Sequence, residues 1–163
     1  MEIIRKESTV FQFETREELS LSDQALLQAA TEVMESAYAP YSEFLVGCAL
    51  RLANGVIVKG SNQENMAYPS GLCAERVAIF YAGANYPHVA IVEMAITARA
   101  KNYPLHGPIM SCGACLQSIC EYEQRFQQPI RTLLQGHDGP IWIAEAGTAT
   151  FLPFQFNVPE LKK

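Results

Sequence analysis

At 163 residues, 49% hydrophobic and 18% charged, the chain has enough apolar material for one domain with a substantial core. Its formal net charge of -5 argues against a nucleic-acid binder, which presents a basic face, and favours a small-molecule substrate. No apolar run approaches the length of a membrane span, and Met1 to Glu7 lacks an apolar signal core. The five cysteines therefore read as metal ligands or free thiols of a reducing cytoplasm rather than a disulfide framework.

Taken in chain order, residues 1–19, with Val10-Phe11-Gln12-Phe13-Glu14, read as an extra edge strand or a loose arm. Between Ser22 and Tyr38 the residues Leu26, Leu27, Ala30, Val33, Met34 and Ala37 recur at helical spacing. Ser20 or Ser22 would cap that helix and Pro40 would stop it. Two apolar runs, Phe44 to Leu52 and Val56 to Gly60, flank Ala53-Asn54-Gly55, and Asn-Gly is the strongest short hairpin signal, so they should pair antiparallel. A polar stretch, Ser61 to Asn65, leads through Tyr68-Pro69-Ser70-Gly71 to a helix from about Cys73 to Ala84. A strand from Val89 to Thr97 and a loop from Ala98 to Ser111 follow, then a second helix from about Gly113 to Phe126. Ile130 to Leu134 and Ile141 to Ala144 read as strands about the turn His137-Asp138-Gly139-Pro140. The order predicts a three-layer αβα domain over residues 1–163, with a mixed five-stranded sheet that opens on a hairpin. Both later helices follow strands.

Chemistry concentrates at the starts of those two helices. Gly71-Leu72-Cys73-Ala74-Glu75-Arg76 and Ser111-Cys112-Gly113-Ala114-Cys115 together offer three thiolates and one glutamate. A catalytic zinc keeps three protein ligands and leaves the fourth position to water or substrate, whereas a structural zinc usually has four. Cys73, Cys112 and Cys115 would be the three, with Glu75 serving the water without binding the metal. Helix N-termini favour anions and help keep the thiols deprotonated.

The blander readings fit less well. A lone Cys-x-x-Cys would equally suit a redox pair or half of a structural site, but the distant Cys73 followed by Glu75 has no place in the first. A fourth ligand would have to be His106, six residues before Cys112, or Cys120, further along the same helix, and neither has standard spacing. Cys48 and Cys120 sit in apolar runs and read as small core residues. Three thiolates leave a divalent ion at net negative charge. Arg76 would offset this by hydrogen bonding to a ligand sulfur; otherwise it is a solvated helix arginine.

With these residues stated, the chain resembles zinc-dependent cytidine deaminases of the small homotetrameric type, from about Ala39 to Phe156. The blocks that carry the likeness are Tyr38-Ala39-Pro40-Tyr41-Ser42 with Phe44-x-Val46-Gly47, Asn62-x-Glu64-Asn65 with Tyr68-Pro69, Cys73-Ala74-Glu75-Arg76, Cys112-Gly113-Ala114-Cys115-x-Gln117, and Leu152-Pro153-x-x-Phe156. The pairing of Cys-x-Glu with a later Cys-x-x-Cys is shared by zinc deaminases generally.

The resemblance implies one zinc per subunit and hydrolytic deamination at C4 of cytidine or deoxycytidine, with Glu75 moving the protons. It implies that Phe44 packs against the pyrimidine, Asn62 and Glu64 bind the ribose hydroxyls, and the Ala74 backbone with Glu75 reads the base edge. Arg76 and Gln117 would support the metal ligands, and Phe156 would reach a neighbouring subunit's pocket in a cytoplasmic homotetramer. The chain departs from the family at Ser111 (usually Pro), Leu116 (usually Arg), Met66 (usually small) and in a longer 98–111 loop. Two other readings stay open: a deaminase of another aminopyrimidine nucleoside, of the blasticidin type, and a zinc-stabilised binding protein without turnover.

Overall fold

The computed structural model describes residues 1–158. Three helices, α1 (Leu21–Met34), α2 (Ala74–Asn85) and α3 (Gly113–Phe126), enclose one mixed sheet. Its strands are β1 (Phe11–Phe13), β2 (Phe44–Leu52), β3 (Ile57–Ser61), β4 (Ile91–Ala100), β5 (Arg131–Gly136) and β6 (Ile141–Ala144), in the spatial order β1-β6-β5-β4-β2-β3. Only β4 and β5 run parallel, which requires the crossover that α3 supplies.

The alternation of side chains along the strands sorts the core into two layers. Cys48 and Leu50 on β2 and Met94 and Ile96 on β4 face α2 and α3, where they meet Ala78, Ile79 and Ile119. Ala49 and Ala95, one residue out of phase, face the other way and meet Leu26, Leu27 and Ala30 of α1. Small residues on this second face let α1 lie close. At Gly47 an added Cβ would stand 2.0 Å from the Ala30 carbonyl oxygen and 2.8 Å from the Met34 nitrogen. Gly47→Ala is therefore expected to destabilise the fold by about 1–3 kcal/mol, read as a lower denaturant midpoint at unchanged m.

The hairpin and both later helices lie where the sequence pattern places them, with ends shifted by up to a few residues. Ser20 is the cap of α1, accepting from the Asp23 N–H at 3.1 Å. That helix stops at Met34 rather than running on to Tyr38. The Tyr38 N–H donates instead to the Asn62 carbonyl at 3.0 Å, and its own carbonyl accepts from Glu64 at 2.8 Å.

The sheet has six strands, not five. β1 pairs antiparallel with β6 through Phe11 and Ile143, Gln12 and Trp142, and Phe13 and Ile141. Trp142 Nε1 donates to Gln12 Oε1 at 2.9 Å. Just beyond the strand, Arg16 donates to Gln135 Oε1 at 2.7 Å and Thr31 Oγ1 at 2.9 Å. These side-chain bonds secure a segment too short to pair firmly alone. No helix among the described residues is long and apolar enough to cross a membrane.

Candidate active site

Loop 61–73 carries the chain from β3 to α2, and backbone pairing holds it in place. Gln63 and Leu72 exchange N–H to O bonds of 2.8 and 2.9 Å, while Gln63 also bridges to Tyr38. The result fixes Cys73 as N-cap of α2 (φ -68°, ψ 154°), with Cys112 in the same role on α3 (φ -68°, ψ 163°). Neither cysteine spends its side chain on capping, so both sulfurs are free to turn toward each other. Cys115 sits one turn into α3 and is buried.

The three sulfurs lie within 4.8 Å of one another, with Cys73 to Cys112 at 3.9 Å and Cys112 to Cys115 at 3.5 Å. Tetrahedral zinc with Zn–S bonds of about 2.3 Å would hold its sulfurs about 3.8 Å apart, so the cluster fits that ion. Arg76 supports the same assignment. Its Nη2 lies 4.0 Å from Cys73 Sγ and its Nε is buried without a hydrogen-bond partner, an orphaned cationic donor beside what would be an electron-rich cluster. Hydrogen bonding from Cys115, aided by Arg76 and opposed by burial, pushes the Cys73 thiol down to about 5. Hydrogen bonding to Cys73, burial and the nearby Glu75 charge push Cys115 up.

Glu75, in the first turn of α2, is 5% exposed. Burial raises its carboxyl above the usual range, while backbone and Ser111 hydrogen bonds pull the other way. Beside it opens a cavity of about 370 Å³ whose lining includes Cys73, Cys112, Glu75, Phe44, Asn62 and Glu64. A second depression of about 540 Å³ shares Asn62, Glu64 and Cys73 and extends past Tyr41, Tyr68 and Arg76. Ala74 is fully buried at the head of α2, its backbone next to Glu75.

Asn62 and Glu64 are more occupied than the sequence suggests. Asn62 Oδ1 accepts from the Val46 N–H at 2.8 Å and Nδ2 donates to the Phe44 carbonyl at 2.9 Å. Glu64 accepts from the N–H groups of Tyr41 and Ser42 and from the Ser42 hydroxyl. Burial opposes ionisation at Glu64, and these three donors outweigh it, holding the carboxyl below its ordinary range. Two expected residues lie apart from the cavity. Gln117 donates to the Phe156 carbonyl at 3.1 Å rather than to a ligand sulfur, and Phe156 is 68% exposed.

The sequence reading missed the apolar wall. Val46, Ile96, Ile109 and Met110 line the cavity along with its polar groups. The period-two pattern already puts Val46 and Ile96 on the face of Cys48 and Met94. Ile109-Met110, an apolar pair in a Pro- and Gly-bearing loop just ahead of a ligand cysteine, was the available signal for the other two.

Residues 20–127 match the profile of the cytidine and deoxycytidylate deaminase zinc-binding region. The chain belongs to that family. It is 40% identical over 136 residues to a cytidine deaminase of Halalkalibacterium halodurans, covering 82% of this chain and 97% of the relative. With a cytidine deaminase of Sporosarcina psychrophila the identity is 36%, over 83% of this chain and 92% of the relative. Among solved structures, a cytidine deaminase from Burkholderia pseudomallei superposes with a TM-score of 0.71 at 33% identity, over 85% of this chain and all of that one. Membership of this family accounts for the cysteine cluster as a zinc site.

Proposed function

We infer that this chain is a zinc-dependent hydrolase that deaminates cytidine and deoxycytidine to the corresponding uridines, releasing ammonia. The observation that carries the reading is a three-sulfur cluster of zinc dimensions next to a buried Glu75, with Cys73, Cys112 and Glu75 on the wall of a nucleoside-sized cavity, in a chain of the deaminase family. Zinc held by Cys73, Cys112 and Cys115 would supply a water whose pKa is lowered to about 7.

The remaining steps belong to protein side chains. Glu75 takes a proton from the attacking water and passes it to ring nitrogen N3; it then takes the remaining proton of the hydroxyl added to C4 and delivers it to the amino group, which leaves as ammonia while the C4 carbonyl forms. A carboxyl raised by burial is suited to holding a proton between those transfers. Arg76 draws charge from the sulfurs, and Phe44 packs against the base. The Ala74 backbone with Glu75 reads the base edge, while Asn62 and Glu64 face the sugar. Glu64 has one oxygen, Oε1, that accepts only the Ser42 hydroxyl and keeps capacity for a ribose hydroxyl. The test is the fall in ultraviolet absorbance when purified protein meets cytidine or deoxycytidine. A zinc-loaded protein that leaves both unchanged sinks the assignment.

The same reading makes the chain a single deaminase domain that assembles as a homotetramer in the cytoplasm. Support for assembly comes from exposed apolar side chains beside the site, with Met66 82% and Tyr68 77% exposed, and Phe80 and Tyr81 on the outer face of α2. The cytoplasmic placement rests on five free thiols, a state favoured in a reducing compartment. Phe156 would enter a neighbouring subunit's pocket, and Gln117, through the Phe156 carbonyl, would set its approach. Phe156→Ala is expected to raise KM for cytidine about tenfold with the tetramer intact by light scattering. A monomer at assay concentrations would refute the assembly.

A further inference from the structure

Phe44 is gripped at both ends of its own residue. Its N–H donates to Ser42 Oγ at 3.0 Å, and its carbonyl accepts from Asn62 Nδ2 at 2.9 Å. The Ser42 hydroxyl then donates to Glu64 Oε1, while Glu64 Oε2 accepts from the N–H groups of Tyr41 at 2.9 Å and Ser42 at 3.2 Å. A serine that only shaped a local turn would stop at the first of these bonds. This one continues to a carboxylate on a different segment, 22 residues away in sequence.

The backbone between Ser42 and Phe44 carries a second mark of constraint. Glu43 has φ of 54°, in the left-handed region that side-chain-bearing residues rarely occupy. Such a conformation persists where the surroundings over-determine it. Here the Glu43 N–H donates to the Ala39 carbonyl at 3.1 Å and its own carbonyl accepts from Lys101 at 3.1 Å, on either side of the Ser42 and Phe44 bonds. Ser42, Phe44, Asn62 and Glu64 all line one cavity. The strained turn therefore aims cavity-lining groups rather than merely joining α1 to β2.

We propose that Ser42 is a positioning residue for nucleoside binding: its hydroxyl ties the base-packing Phe44 to the sugar-facing Glu64, so both are set before substrate arrives. This rests on the roles given to Phe44 and Glu64 above. Glu75 and the three sulfurs stand on α2 and α3, outside this unit. Loss of the hydroxyl should consequently weaken binding and spare the chemical step. Preorganisation of this kind lowers the cost of ordering a site on binding.

Ser42→Ala and Ser42→Thr are to be compared with the parent enzyme on cytidine and on 2′,3′-dideoxycytidine. Ser42 is exposed, so the alanine variant should fold normally. The expected result is a KM for cytidine raised about tenfold in the alanine variant, with kcat within about twofold and recovery in the threonine variant. The dideoxy substrate lacks the 2′ and 3′ hydroxyls through which the sugar would meet Glu64, so it isolates the link to Phe44, and its KM should still rise. An unchanged KM for cytidine overturns the proposal, as does a loss confined to kcat or a threonine variant that behaves like alanine. A rise for cytidine with none for the dideoxy substrate overturns the link to Phe44. A parent protein that turns over neither substrate removes the deaminase reading itself, a result distinct from any of these.

Discussion

Glu75→Gln is expected to lower kcat for cytidine by about 10²–10⁴-fold while the protein keeps one zinc per chain. The amide has the shape of the carboxylate and should keep the first turn of α2, so the ligand at Cys73, two residues earlier, should stay in place. What it cannot do is accept a proton and return it. KM should move far less than kcat, because Phe44, Asn62 and Glu64 lie on other segments of the cavity wall and the amide can still hydrogen-bond the base edge. Steady-state kinetics and metal analysis on the same preparation decide the matter. A variant that retains zinc and most of its turnover excludes Glu75 as the proton carrier. One that loses zinc with its activity would place Glu75 among the groups that hold the metal.

How far such a site could be read from sequence depends on whether each residue's role is local. Cys112 and Cys115 stand at the first turn of α3, a placement that Cys-x-x-Cys before a helical pattern dictates, and Cys73-x-Glu75 repeats the logic on α2. The two helix starts are 39 residues apart and meet because each follows a strand of the same sheet. β1 was ambiguous for the opposite reason. Three residues carry little pattern, and their partner is an edge of β6 some 130 positions later, where Trp142 meets Gln12. The end of α1 was set by Asn62 and Glu64 capturing the Tyr38 backbone, a competition invisible in the local sequence. Asn62 and Glu64 themselves were read as sugar ligands, yet much of their bonding capacity goes to the backbone of residues 41–46. Ile109 and Met110 were passed over because no periodic pattern governs a loop. Their place on the cavity wall follows from where the chain must go to reach Cys112.

Removing zinc should lower the thermal midpoint by about 10 °C and abolish turnover. A ligand present at about 1,000 times its dissociation constant stabilises the native state by about 4 kcal/mol. For a domain of this size, each kcal/mol corresponds to about 2–4 °C. The physical source is visible in the cluster. The three sulfurs lie within 4.8 Å of one another, where thiolates would repel unless a cation lay between them. As ligands of one zinc they would tie the N-termini of α2 and α3 together, so that binding of the ion would add to the stability of the fold. Cys115→Ala should reproduce the loss, with zinc content near zero. Cys48→Ala is the control, because Cys48 is buried in the layer beneath α2 and α3 and is not one of the clustered sulfurs. That variant should keep its zinc and its activity at a modest cost in stability. Equal midpoints with and without zinc would show that the metal does not join the two helices. Retention of zinc by Cys115→Ala would show that the ion is held elsewhere, and the assignment of Glu75 to its water would fall with it.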